Sequence, residues 1–171
     1  YMFSDLITKY GTFAGLGLIA VFLGAYFFSP ELMLSQKVYW ASMIVTLGAM
    51  WVGTSEDKKM QLSGEVDDYP FKAALRVAFG IFALSSLIYH VFDLTMFMVV
   101  NPELADMQLE ATLGSIEELT PYFGEDWADQ TSEMLEKNPP APSMSNSFFD
   151  YTFGLLGGFA MAALMALTMK R

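Results

Sequence analysis

The chain has 171 residues, of which 54% are hydrophobic and only 16% charged. Soluble domains run at about 25% charged and roughly 45–50% apolar, so both numbers point toward lipid. The lack of cysteine excludes disulfides, thiolate metal sites and cysteine catalysis, and a net charge of −10 argues against nucleic acid as a partner.

A helix that crosses a bilayer needs ~20 predominantly apolar residues, because its backbone polar groups must be satisfied internally. The first such segment is 10–28, uncharged between Lys9 and Glu31. It is longer than the apolar part of a signal peptide, and no small-residue cleavage site precedes Ser29-Pro30-Glu31, so it reads as a span. The chain opens at Tyr1 and not at methionine, which leaves room for residues before it. Gly11 and Gly15 form a GxxxG pair on this segment, and Ala20 and Gly24 continue the small spacing.

The second segment, 38–55, lies between Lys37 and Glu56. The third, 71–100, opens after Pro70 and closes at Asn101-Pro102, and at 1.5 Å per residue it reaches roughly 45 Å. It carries the one histidine, His90, and the one acid deep in a span, Asp93. At a spacing of three they share a helix face with Ser86. Ionisable groups in a membrane are costly and mark functional positions by default. Asp93 could set the imidazole tautomer and the pair could relay protons. The competing reading is a structural hydrogen bond near the outer interface.

Between the third and fourth spans, 101–147 holds ten acids and one lysine, a net of −9. Its apolar spacing predicts a helix over 102–119, interrupted at Pro121, and a second over 125–136. A Pro-rich linker, 138–143, then leads to the last span. This insertion reads either as a docking surface or cation-attracting vestibule, or as a solvated helical hairpin kept off the bilayer by its charge.

The fourth segment, 148–169, repeats small residues every four positions at Gly154, Gly158, Ala162 and Ala166. Such stripes let membrane helices approach closely, within one chain or between chains. Met161, Met165 and Met169 repeat on the same helix; they read as core fillers in preference to a soft-metal route. Aromatics gather at the expected interfaces, at 26–28, Tyr39, Trp40, Trp51, Phe148, Phe149 and Tyr151.

Four crossings put both termini on one side, together with Lys9, Lys58, Lys59, Lys72, Arg76, Lys170 and Arg171. Seven basic residues there against two opposite predict cytoplasmic termini and an external 101–147. No phosphate loop, GxSxG, HExxH or metal-spaced cluster is present. No cofactor or catalytic residue is therefore expected, and the chain does not read as an enzyme.

The order of features resembles a family of bacterial four-helix inner-membrane proteins, a domain of unknown function with an acidic periplasmic insertion between its third and fourth helices. The matching residues are Tyr10-Gly11-Thr12-Phe13-Ala14-Gly15-Leu16, Tyr69-Pro70-Phe71-Lys72-Ala73-Ala74-Leu75-Arg76, Tyr89 and Asn101-Pro102-Glu103. The resemblance implies a non-catalytic accessory role, including one beside glycosyltransferases acting on lipid-linked sugars, and carries over no site residue.

The expectation is thus an all-α, four-span membrane bundle, 1–171, with an acidic helical hairpin outside. Its leading function is a subunit or scaffold of a larger inner-membrane assembly, partnered by lipid and by other membrane proteins or copies of itself. The alternative is a small transporter or channel using His90 and Asp93.

Overall fold

The computed structural model describes residues 2–64, 68–139 and 143–170. Every element among them is helical: α1 Met2–Phe28, α2 Pro30–Met33, α3 Gln36–Leu62, α4 Phe71–Thr95, a π-helical turn Met96–Val100, α5 Leu104–Phe123, α6 Glu125–Lys137 and α7 Met144–Met169. Asp5–Phe28, Phe71–Val100 and Met144–Met169 are long and apolar enough to cross a membrane, matching the first, third and fourth expected segments. The second segment lies in α3, which is as long as α1 but falls short on hydropathy. Its Tyr, Trp, Ser and Thr residues and its charged end, Glu56-Asp57-Lys58-Lys59, account for that.

The chain divides into two compact units, Tyr1–Phe92 with Phe148–Arg171, and Asp93–Ser147, and the boundary falls within α4. In the first unit, α4 packs against α1, α3 and α7. Met50, Val77, Ala78, Ile81 and Ala162 form one fully buried cluster, and Tyr69, Ala73, Ala74, Ala166 and Met169 form a second. Alanines and glycines dominate these seams because they let helix axes approach. The α1–α4 seam is close-packed at backbone level. A Cβ at Gly11 would lie 2.9 Å from Leu84 Cβ, and one at Gly15 2.8 Å from Ile88 Cβ. Gly17 of α1 meets Val45 of α3, and Gly53 of α3 meets Ile81 of α4. Large apolar side chains such as Phe13, Phe27, Ile44, Phe153 and Leu164 point outward, an exterior suited to lipid.

At its C-terminal end α3 runs beyond the expected second segment, 38–55. The helix runs on past Ser55 to Leu62 and carries Glu56 and Asp57 into packed positions. Glu56 accepts a hydrogen bond from the Tyr10 hydroxyl, and Lys9 Nζ lies 3.3 Å from its Oε1. Asp57 is 2% exposed and its Oδ2 accepts from Tyr69 Oη at 2.6 Å and Gln61 Nε2 at 2.9 Å. Lys58 Nζ donates to the Met169 carbonyl at 2.9 Å, satisfying the C-terminal end of α7. These contacts explain why the helix continues: Glu56, Asp57 and Lys58 each find a partner.

The hydroxyl of Tyr10, then Lys9, hold the Glu56 carboxyl below the usual carboxylate range. A depressed carboxylate adds stability above its unfolded pKa of ~4.3 and loses it as pH falls through the lower folded value. Tyr10→Phe is therefore expected to move the Glu56 titration upward toward the ordinary value. Carboxyl 13C shifts followed from pH 6 to pH 2 would read this, and an unmoved titration would contradict the pairing.

In the second unit α5 and α6 pack against each other across Gly124, whose φ of +94° is open to glycine and rarely to other residues. Pro121 does not interrupt α5, contrary to the sequence expectation; the helix passes through it and ends two residues later. A proline so near the end costs little, because only one carbonyl, that of Glu117, loses its donor. Ile116 and Ala128 are buried, and the Phe123 and Trp127 rings stack at 4.9 Å. Tyr122, Phe123 and Met134 stay exposed among the acids. Part of the Pro-rich linker, 140–142, and part of the loop after α3, 65–67, lie outside the described residues.

Candidate functional site

The first unit contains a cavity of about 360 Å³ whose wall draws on α1, α3, α4 and α7. Helical spacing sets each contribution. Leu18 and Phe22 come from one face of α1, Tyr39, Ser42 and Thr46 from one face of α3, and Phe82, Ser86, Tyr89 and His90 from α4. Gly154 and Met161 supply the α7 side. The lining is mostly apolar and aromatic with a few polar groups, the usual makeup of a small-molecule pocket. Among the described residues, no Lys, Arg, Asp or Glu belongs to it.

His90 is positioned by its own helix. Its Nδ1 lies 2.8 Å from the Ser86 carbonyl oxygen and 3.5 Å from Ser86 Oγ. A carbonyl oxygen can only accept, so Nδ1 carries a proton and donates to it. In the neutral ring Nε2 is then the acceptor. The backbone of Ser86 thus fixes the tautomer of the ring. The ring also stands edge-on to Tyr89 at 5.7 Å and to Tyr151 at 5.5 Å, and the Tyr151 hydroxyl donates to the Ala83 carbonyl at 3.2 Å. Asp93 belongs to the second unit and has an interaction partner.

The α3 hydroxyls are committed in the same way. Ser42 Oγ donates to the Tyr39 carbonyl at 2.7 Å, and Thr46 Oγ1 donates to the Ser42 carbonyl at 3.1 Å. Back-bonding of this kind satisfies a hydroxyl inside an apolar helix. It spends the proton and leaves the oxygen lone pairs as acceptors.

The small-residue stripe of α7 divides in two. Ala162 and Ala166 are fully buried, and a Cβ at Gly158 would lie 2.1 Å from the Phe82 ring, so these three serve packing against α4. A Cβ at Gly154 would meet nothing within 4 Å, and this residue lines the cavity. On α1, Gly11 and Gly15 are consumed within the chain by Leu84 and Ile88, whereas Gly24 faces open space. Met161 borders the cavity, while Met165 and Met169 pack in the core. Sequence reading placed Tyr39 at the interface and passed over Ser42 and Thr46. Their spacing of four within an apolar run was the available signal. The Asp57–Tyr69 contact had none, since the two are 12 residues apart across a turn.

Among the described residues, no three His, Cys, Asp or Glu side chains are placed to hold a metal ion. No curated protein and no solved structure matches the chain. A family of proteins of unknown function, DUF4199, matches residues 9–171, nearly the whole length. The chain therefore belongs to the DUF4199 family.

Proposed function

We propose that the protein is a four-span membrane protein of a bacterial inner membrane, with cytoplasmic termini and 101–147 in the periplasm, acting as a non-catalytic subunit or scaffold of a larger assembly. The observation that carries the reading is the separately packed acidic helix pair, α5 and α6, which holds Tyr122, Phe123 and Met134 exposed. Aromatic side chains of this kind supply the energetic centre of protein interfaces, and surrounding acids steer a basic partner. The fourth span is supported by the packing of α3. Its contacts pair Val45 with Gly17 and Glu56 with Tyr10, so it runs antiparallel to α1 over the same depth.

Affinity purification from native membranes in mild detergent tests this reading. A stoichiometric partner is expected with the wild-type chain and is lost, or weakened at least about tenfold, in the double variant Tyr122→Ala, Phe123→Ala. A protein that purifies alone as a stable monomer would sink it.

A second reading, a small transporter or channel using His90 and Asp93, is favoured by the cavity beside His90. Its test is flux in reconstituted vesicles with Asp93→Asn, where unchanged or absent flux counts against it.

A further inference from the structure

The geometry points to the cavity between α1, α3, α4 and α7 as a binding site for a neutral, largely apolar molecule that presents one hydroxyl donor. This inference depends on neither functional reading above, because it concerns what the cavity binds and not what the helix pair docks or whether anything crosses.

Three observations converge on that chemistry. First, Ser42, Thr46 and His90 contribute acceptors to the wall. Ser42 and Thr46 have given their protons to backbone carbonyls, and His90 Nδ1 donates to the Ser86 carbonyl. The ring nitrogen that remains for a ligand is Nε2, which accepts in the neutral imidazole. A ligand that brings a donor finds its acceptor in Nε2. Second, among the described residues the wall contains no basic side chain, so a phosphate or carboxylate headgroup has no counter-charge there. It contains no acid either, so an ammonium ion would be desolvated without a paired charge. A neutral donor is what remains. Third, Phe22 and Tyr89 stack at 4.7 Å beside His90 and offer ring faces to an apolar body. A volume of about 360 Å³ holds a fused two-ring molecule or a short lipid segment.

Gly154 gives the site its room. A side chain there would enter the cavity without touching another atom of the protein within 4 Å of its Cβ. A larger residue at 154 is thus a plug that leaves the packing residues Gly158, Ala162 and Ala166 untouched.

The chain's single histidine makes a direct test possible. Protein labelled with 15N-histidine, carrying no histidine tag and held in nanodiscs of zwitterionic lipid, gives one imidazole to observe. Naphthol and farnesol serve as the aromatic and lipid hydroxyl probes. Naphthalene and farnesane are their counterparts without a donor. The expected result is a shift of the Nε2 resonance with at least one alcohol and none with its hydrocarbon, with Nδ1 remaining protonated throughout. Whichever alcohol shifts the signal more identifies the source class. That alcohol should also bind about tenfold more tightly than its hydrocarbon, the worth of one hydrogen bond.

Gly154→Leu should abolish the shift while keeping the wild-type melting transition. If Gly154→Leu does not fold, His90→Phe takes its place. It removes the Nε2 acceptor and should weaken the alcohol about tenfold while leaving the hydrocarbon unchanged. The inference is overturned if neither alcohol moves Nε2, if the hydrocarbons act equally, or if both cavity variants bind as the wild type does.

Discussion

Gly15→Ala is expected to destabilise the protein by about 1–3 kcal/mol, the usual cost of forcing an extra methyl into a packed seam. The new Cβ would lie 2.8 Å from Ile88 Cβ and 2.9 Å from its Cγ2. Neither can move aside, because Cβ is fixed to the backbone and the branch at Cβ limits rotation. The helices α1 and α4 must separate instead, and every contact along their seam loosens with them. Gly158→Ala supplies the contrast: its Cβ meets ring atoms of Phe82, which borders the cavity and can swing toward it. That variant should cost less, and Phe82→Leu should recover part of the loss. Gly24→Ala, facing open space, should be near neutral. Denaturant unfolding in mixed micelles ranks the three. Equal stability for Gly15→Ala and Gly24→Ala would show that the α1–α4 seam is looser than these distances require.

The second large effect is expected at Asp57. Asp57→Ala removes the acceptor of both the Tyr69 hydroxyl and the Gln61 amide, and Tyr69 is fully buried. Stranding a buried hydroxyl costs about 1–3 kcal/mol, and hydrogen bonds to charged groups are worth about 1.5–3 kcal/mol. Asp57→Ala alone should therefore lose stability in that range. Tyr69→Phe added to it should cost little more, since the hydroxyl has already lost its partner. Fully additive losses in the double variant would show that the two side chains do not act as a pair.

The same contact has an alkaline signature. Burial, and then the Asp57 carboxylate, push the Tyr69 hydroxyl well above the ordinary tyrosine range. A raised pKa contributes stability that is complete below the unfolded value of ~10 and is lost as pH rises through the folded one. Tyr69 should therefore ionise only above the ordinary tyrosine range. Absorbance at alkaline pH should show its phenolate appearing together with unfolding, and Asp57→Asn should bring that step to lower pH.

Much of the architecture could be read from the sequence because it rests on local physics. Long apolar runs must form helices in lipid, and Ser29-Pro30, Pro70 and Asn101-Pro102 punctuate them where the structure does. The small residues at Gly11, Gly15, Gly158, Ala162 and Ala166 announced close packing, since only a missing side chain permits it. What they pack against was not readable, because Leu84, Ile88 and Phe82 are ordinary apolar residues until another helix is laid on them. The cavity is tertiary in the same sense. Gly154 resembles Gly158 in sequence, yet one borders open space and the other a ring. Ser42, Thr46 and His90 become one acceptor wall only when α3 and α4 stand side by side. Helix periodicity determines which residues share a face, whereas the partner of that face is decided by contacts between distant segments, and only the folded chain contains those.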